Sequence, residues 1–476
     1  MSTAQSLAST RIDSLLDANS FVEIGGQVTA RNTDFNLSAQ NTPSDGVITG
    51  YGLIDGRLVY VYSQDVSVLN GTIGEMHAKK IANIYALAMK TGAPVIGLID
   101  CAGIRLQEAT DALNAFGQIY LNQTMASGVI PQITGIFGTC GGGLAMVPAL
   151  TDFTFMESKK AKLFVNSPNA LDGNQIGKCD TSSAEYQAEA GLVDFVGTED
   201  EIFAQMRALV TVLPSNNEEN DSHDDCTDDL NRVCPDLANC AGDTAIALAQ
   251  ISDNNVLIET KKDYAKSMVT GFIRLNGMTI GAVANRSEVY GEDGELAEKF
   301  DGTMTAAGAK KAADFVAFCD AFSIPVLTLV NVKGFKADMS NERHMPKAVA
   351  KLVAAYAEAT VPKVSVIVGA AYGSAYVAMN SKAIGADMVY AWPTAEIGMM
   401  DAKMAAKIMY PNSDAAEINE KAAEYATLQS SVLSAARRGY VDTIIEAEDT
   451  RKYVIGAFEM LFTKREDRPG KKHGTV

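Results

Sequence analysis

The chain has 476 residues, enough for about two to four domains and a large core. Lys and Arg total 40 against 58 Asp and Glu, a formal net charge of −18. That excludes a general affinity for nucleic acid or anionic lipid and leaves open a local basic pocket for a phosphorylated ligand. With 47% hydrophobic and 21% charged residues, wholesale disorder is excluded too.

Residues 1–13 lack a basic segment followed by an apolar one, so no signal peptide is expected. Residues 75–90 place Ile81, Ile84, Tyr85 and Ala88 at i, i+3, i+4 and i+7. This is the spacing of an amphipathic helix, with His77 expected on its surface side. Residues 95–100 are a short apolar run, a buried strand. From 112 to 151 no Asp, Glu, Lys or Arg occurs. Asn114, Gln118, Asn122, Gln123 and Gln132, with the glycines Gly138, Gly141, Gly142 and Gly143, interrupt that run, and such side chains and breaks would leave polar groups unsatisfied in lipid. A buried strand, loop and helix is predicted there rather than a membrane span. Residues 133–137 form the strand, ending in Gly138-Thr139-Cys140-Gly141-Gly142-Gly143. Residues 144–150 then begin a helix whose length Pro148 limits.

Residues 214–236 carry eight acidic residues and one basic one, Arg232. So charged a segment cannot build its own core and is expected to be an exposed linker. The expected division is a domain at 1–213, a linker at 214–243 and a domain at 244–476. The second half follows the same plan: a strand at 364–368, the turn Gly369-Ala370-Ala371-Tyr372-Gly373-Ser374, and a helix from about 375 to 384.

The two halves are related by an internal repeat. Ala93-Pro94-Val95 matches Ile324-Pro325-Val326 at an offset of 231, which also carries Ala78-Lys79-Lys80 to Ala309-Lys310-Lys311, Pro131 to Pro362 and Gly142 to Gly373. Gly50 meets Gly271 at an offset of 221, and Asp152 meets Asp387 at 235. Ordered matches with a slowly drifting offset predict a tandem duplication of an α/β domain.

The catalytic inventory is thin. Seven cysteines without a CxxC pair support neither a disulfide framework nor a metal site, and a reducing, cytoplasmic setting is expected. His223 lies in the acidic segment, His473 in the tail and His344 in a loop; with His77 these complete the histidines, and none is placed as a general base. GxSxG and HExxH are absent, and neither glycine turn carries GxGxxG or a P-loop, against a nucleotide-dependent enzyme. What remains is the turns themselves. A glycine-rich strand-to-helix turn exposes backbone N–H groups at the positive end of the helix, where they can hold phosphate or serve as an oxyanion hole. Close packing without a ligand is the structural alternative.

The segments Ile73-Gly74-Glu75-Met76-His77-Ala78-Lys79-Lys80-Ile81, Ala126-Ser127-Gly128-Val129-Ile130-Pro131, Pro148-Ala149-Leu150-Thr151-Asp152-Phe153, Tyr390-Ala391-Trp392-Pro393-Thr394-Ala395-Glu396-Ile397-Gly398 and Arg468-Pro469-Gly470-Lys471-Lys472-His473-Gly474 resemble biotin-dependent acyl-CoA carboxyltransferases. That family includes propionyl-CoA carboxylase β subunits and methylmalonyl-CoA decarboxylase α subunits. The resemblance runs nearly end to end. It implies two tandem crotonase-like (ClpP/crotonase) ββα-superhelix domains, with an active site between the N-half of one subunit and the C-half of another. On the family's pattern the acyl-CoA oxyanion hole falls on Gly142 and Gly143, beside Gly141. The biotin-side hole falls on Ser374 and Ala375, beside Gly373, and the acyl-pocket position is Val377, after Tyr376. The implied chemistry is substrate-assisted: carboxybiotin releases CO2, its ureido anion takes the α-proton of the acyl-CoA, and the thioester enolate attacks CO2. Decarboxylation is the same path reversed.

The resemblance also implies biotin on a separate biotin carboxyl carrier protein and a biotin carboxylase or membrane decarboxylase subunit as partner. A homo-oligomer, a hexamer built from dimers, and a cytoplasmic location peripheral to any membrane complex follow as well. Lys90, in Ala88-Met89-Lys90-Thr91, only imitates a biotin attachment site. The family's Asp-x-Pro-Gly-Phe is Asn331-Val332-Lys333-Gly334-Phe335 here, its Asp-Ser-Gly-Gly-Ala-Arg is Asp100-Cys101-Ala102-Gly103-Ile104-Arg105, and its second biotin-loop glycine is Ser374. These departures motivate one alternative, a catalytically silent scaffold subunit of such a complex.

Overall fold

The computed structural model describes residues 6–32, 41–219, 221–291, 293–471 and 474; His473 lies outside the described residues, as do residues 1–5. The chain divides into two units, 1–222 and 223–476, and the division falls within the acidic segment.

The first unit is built on a single sheet of eight strands: β1 (Val22–Glu23), β2 (Val47–Ile54), β3 (Arg57–Gln64), β4 (Val95–Cys101), β5 (Gln132–Gly141), β6 (Phe153–Glu157), β7 (Lys162–Phe164) and β8 (Phe195–Gly197). The order is β1-β2-β3-β4-β5-β6-β8, antiparallel as far as β3 and parallel beyond it, and β7 pairs with the last residues of β5. Its helices are α1 (Leu7–Leu15), α2 (Glu75–Thr91), α3 (Ala109–Ala126), α4 (Met146–Ala149), α5 (Asn174–Gly177), α6 (Ala184–Glu189) and α7 (Glu199–Val212).

The second unit repeats the design with β9 (Leu257–Thr260), β10 (Met268–Leu275), β11 (Met278–Asn285), the separate hairpin β12 (Glu288–Tyr290) and β13 (Leu296–Lys299), then β14 (Val326–Val332), β15 (Lys363–Tyr372), β16 (Met388–Ala391), β17 (Glu396–Gly398) and β18 (Thr443–Ile444). Its order, β9-β10-β11-β14-β15-β16-β18 with β17 on β15, mirrors the first sheet strand for strand. The helices are α8 (Thr244–Ile251), α9 (Ala306–Ala321), α10 (Met339–Glu342), α11 (Met345–Glu358), α12 (Gly373–Ala378), α13 (Ala402–Met409), α14 (Ala415–Tyr425), α15 (Val432–Arg437) and α16 (Thr450–Leu461). The tandem crotonase-like α/β fold is present.

The duplication extends to single hydrogen bonds. The carboxylate of Asp152 accepts the N–H of Gln132 at the start of β5, and that of Asp387 accepts the N–H of Lys363 at the start of β15, each at 2.8 Å. On the next strand of each sheet, Asp194 accepts from the Thr154 N–H and Asp442 from the Val389 N–H. Lys80 of α2 and Lys311 of α9 are both buried, and each ammonium donates to two backbone carbonyls: Ser44 and Val47 for one, Lys261 and Tyr264 for the other. Such bonds satisfy polar groups that would otherwise be stranded in the interior.

Three expected elements differ. α2 buries His77 together with Ile81, Ile84, Tyr85 and Ala88, so His77 is not on the surface side; it lies four residues before Ile81, on the same stripe. The expected helix at 144–150 is a 3₁₀ turn over Gly142–Ala145 followed by the single turn α4. The expected helix at 375–384 starts earlier and stops at Ala378. Asn380 takes a left-handed conformation (φ 52°), and its buried amide donates to Thr328 Oγ1 and the Val364 carbonyl. The charge-free run becomes most of α3, then β5 and α4, and among the described residues no helix is long and apolar enough to cross a membrane.

The entry to α2 is held by buried charge. Its N-cap is Gly74, which has no side chain to bond the first N–H groups. Instead Glu108 accepts from the Glu75 N–H at 2.6 Å and Asp45 from the His77 N–H at 2.8 Å. A Cβ on Gly74 would lie 2.2 Å from Glu108 Oε1, so only glycine fits. Arg105, fully buried, pairs with both carboxylates at 2.5 and 2.9 Å and donates to the Thr72 carbonyl. Burial pushes the Asp45 carboxyl above its ordinary value, and Arg105 opposes that rise. Removing one member of a buried ionic cluster leaves the others uncompensated, at a cost of about 3–5 kcal/mol. Arg105→Leu is therefore expected to lower unfolding stability by that amount in urea titration, and Arg105→Lys, which cannot span all three acceptors, by an intermediate amount.

Candidate functional site

Both glycine turns form where a long strand changes neighbours. β5 pairs with β6 from Ile133 to Ile136, then with β7 from Thr139 to Gly141. β15 does the same with β16 and then, from Ala370 to Tyr372, with β17. The register with the preceding strand also slips at matched positions, between Ile99 and Cys101 in one unit and between Val330 and Val332 in the other. After each strand a glycine adopts positive φ, 63° at Gly142 and 61° at Gly373, a backbone that residues with a Cβ rarely adopt. The chain then enters the turn over Gly142–Ala145 in one unit and α12 in the other. Neither helix start has a side-chain cap hydrogen bond, and first-turn N–H groups have no acceptor within the helix.

In the first unit, the Phe164 ring occupies the place of a Gly141 side chain, 2.7 Å from where its Cβ would be, whereas a Cβ on Gly142 would meet nothing within 4 Å. Gly143 is exposed, and the Tyr120 hydroxyl donates to its carbonyl. Behind the turn, Asp100 Oδ1 fills the space of a Gly138 side chain, and its Oδ2 accepts from Arg11, itself 4% exposed and also paired with Glu199.

In the second unit, Ser374 is exposed and Ala375 buried. The turn opens on a cleft of about 560 Å³ lined by Lys333, Phe335, Tyr372, Val377 and Met399 together with Gly373, Ser374, Ala375 and Tyr376. A Cβ on Gly373 would come within 3.2 Å of the Met399 carbonyl. Tyr372 hydrogen-bonds Glu396, and burial with that bond raises its hydroxyl pKa above the ordinary value. Burial pushes the Tyr376 hydroxyl up to about 12. An apolar cavity of about 620 Å³ bordered by Met409, Tyr410, Tyr425, Leu428 and Tyr440 adjoins the cleft, sharing Tyr376 and Met399 with it.

At the 231 offset, Gly142 and Gly143 correspond to Gly373 and Ser374, so the two expected amide pairs stand one residue out of step. The second unit brings Gly373, Ser374, Ala375, Tyr376 and Val377 together in one cleft; the first brings Gly141, Gly142 and Gly143 together in one turn. Tyr120, Tyr372 and the support by Asp100 were not foreseen, though the repeat pairs Asp100 with Asn331 and could have drawn attention to both.

In the first unit the buried cysteines and His77 are not set up to attack or to take a proton. Burial holds the Cys101 thiol at about 12 and raises that of Cys140 well above its usual value. Burial, with Arg105 nearby, lowers His77 to about 3. Its Nε2 meets the Gln64 amide at 3.2 Å and its Nδ1 the Asp45 carbonyl at 3.0 Å, partners that suit the neutral ring protonated on Nδ1.

The departure at Asn331 is accommodated. Its Oδ1 accepts the Ala370 N–H at 3.1 Å and its Nδ2 donates to the Ala241 carbonyl at 2.9 Å. Asn331→Asp would set an anionic oxygen against that carbonyl. The charged form is then penalised in the folded state, its pKa rises above the unfolded value, and stability falls as pH rises through that folded pKa. A loss of about 1–3 kcal/mol at pH 7 is expected. Urea unfolding at pH 4 and 7 would check it, with the variant closer to the parent at pH 4.

The carboxyl transferase domain family matches residues 2–476. The methylmalonyl-CoA decarboxylase subunit alpha of Propionigenium modestum is 40% identical over 492 residues, spanning 98% of this chain and 92% of that one. The propionyl-CoA carboxylase beta chain of Roseobacter denitrificans is 41% identical over 484 residues, with 98% and 93% covered. The transcarboxylase 12S crystal structure with hydrolysed methylmalonyl-coenzyme A bound, a hexamer assembly, superposes with a TM-score of 0.92 at 37% identity, covering 98% of this chain and 92% of that one.

Proposed function

The chain belongs to the carboxyl transferase family, and from that premise we propose that it moves a carboxyl group between carrier-bound biotin and the α-carbon of a short acyl-CoA, using the two glycine turns as paired oxyanion holes. The observation that carries this reading is the repetition of one backbone device, a left-handed glycine followed by uncapped helix N–H groups, at matched ends of two duplicated sheets.

In this reading the amides at Gly142 and Gly143 face the thioester oxygen and hold the negative charge that develops there when the α-carbon loses its proton. The amides at Ser374 and Ala375 face the urea oxygen of biotin. The cleft around them fits such a ring: Phe335, Val377 and Met399 supply apolar walls, and the missing side chain of Gly373 leaves the amides open to approach. Bound there, biotin supplies the transferable carboxyl group and the base for the α-proton. The chain's own part is to orient both reactants and stabilise charge with fixed dipoles, which need no reorganisation during the reaction.

The substrate pair we propose is propionyl-CoA and methylmalonyl-CoA. The relatives named above carry those activities in their names, and Val377 places a branched apolar side chain on the cleft. The carrier protein and the biotin carboxylase or membrane decarboxylase subunit that sets the direction are separate chains. We further propose a homo-oligomer, a hexamer built from dimers, in which each reaction uses the first-unit turn of one protomer and the second-unit turn of another; the similar transcarboxylase 12S structure is a hexamer assembly. Sedimentation should find activity only in the oligomer; an active monomer would overturn this part of the reading.

Proline deletes an N–H and is tolerated in the first turn of a helix. Ser374→Pro and Gly143→Pro are each expected to lower carboxyl exchange between free carboxybiotin and propionyl-CoA by roughly a hundred- to a thousandfold in kcat. Ser374→Ala, which keeps the N–H, should remain near the parent. Equal activity in all three variants would refute the paired oxyanion holes.

A further inference from the structure

A second cavity of the second unit, about 510 Å³, lies at the first turns of α9 and α11, apart from the glycine-turn cleft. Lys310, Arg343, His344, Lys347 and Lys351 all line it. Lys347 already has a partner of its own, so in a chain of net charge −18 the positive charge this hollow offers an anion is chiefly that of Lys310 and Arg343. Asp314 pairs with Lys351, but among the described residues no carboxylate forms a salt bridge with Lys310 or Arg343.

The duplication supplies an internal control. Lys79 of α2, the counterpart of Lys310, pairs at 2.7 Å with Glu75 four residues earlier, and Glu75 also holds Arg31, which reaches Asp111. At the 231 offset the place of Glu75 is taken by Ala306. The second unit has kept the lysine and lost its acid. The starts of α2 and α9 differ as well. The N–H groups of Ala306 and Gly308 on α9 are taken by Asn341 and Thr305. α11 begins at His344 with no side-chain cap bond, as does its counterpart α3 at Glu108.

We infer that this cavity binds a phosphate-bearing anion, with Lys310 and Arg343 as the principal charged contacts. A diphosphate or nucleotide phosphate has the charge density and acceptor oxygens to satisfy several such donors at once. The same chemistry could reach the cavity on the diphosphate of a CoA thioester or as a free phosphorylated metabolite. The site is independent of the glycine turns, and its failure would leave the proposed exchange reaction untouched.

The test is calorimetric titration of the full-length chain, in its native assembly, with inorganic pyrophosphate at low salt. Saturable binding that weakens as salt is added is expected. Lys310→Glu combined with Arg343→Glu should weaken it at least about tenfold, as should the milder pair Lys310→Gln and Arg343→Gln, with the thermal unfolding midpoint unchanged. If CoA displaces pyrophosphate and the milder variant raises KM for the CoA thioester while kcat stays within about twofold, the substrate is the source of the anion. If CoA does not displace it, the source is a free phosphorylated ligand. No saturable binding to the parent at millimolar pyrophosphate, or equal affinity in parent and both variants, would overturn the proposal.

Discussion

Everything proposed for catalysis depends on a strand that changes partner before it ends. Had β5 stayed paired with β6 along its whole length, its end would carry no separate ladder to brace a sharp reversal. Pairing its last three residues with β7 instead holds the strand straight up to Gly141, and a single left-handed residue then turns the chain into a helix start. Glycine is required at Gly142 for its conformation and at Gly141 for space, because the Phe164 ring occupies the room a side chain would need. In α/β sheets ligands gather beyond the C-terminal ends of parallel strands, and the strand exchange presents N–H groups at that edge.

The scarcity of reactive side chains is consistent with this design. The cysteines nearest the first turn are buried with thiols held high, and His77 is neutral and locked between Gln64 and Asp45. A site without its own base must obtain one from a reactant, and its contribution to rate must come from oriented dipoles. Backbone amides suit that task because sheet and helix fix their direction.

The repeat was legible because the offset stays at 231 through the parts that build the turn: the register slip, the strand ends and Gly142 with Gly373 all obey it. It drifts where the chain is free to vary, at the opening hairpins and after the turn. His77 was misplaced because the apolar stripe was counted forward from Ile81; four residues back on the same face gives His77. The short helices escaped detection for another reason. What ends α12 is a buried amide, Asn380, bonded to Thr328 on a strand 52 residues away, and no local spacing contains that information. The same holds for Arg105, whose partner Asp45 is 60 residues distant. Local pattern revealed the elements; the bonds that trim and anchor them are long-range.

The two units solve one electrostatic problem differently. Each needs a polar group at the end of β4 or β14 to pack against the strand that carries the turn: Asp100 beside Gly138, Asn331 beside Gly369. A carboxylate packed behind the turn proposed as an oxyanion hole would oppose negative charge developing there, since Coulomb terms persist over such distances in a partly buried setting. In the first unit Arg11, 4.9 Å from the Phe137 ring and paired with Asp100 as well as Glu199, offsets part of that charge. In the second unit the amide of Asn331 satisfies the Ala370 N–H and the Ala241 carbonyl with no net charge, so no arginine is needed. The substitution at Asn331 thus removes a charge and the need for its counterion together, and the turn it supports keeps the same left-handed glycine and the same uncapped amides as its duplicate.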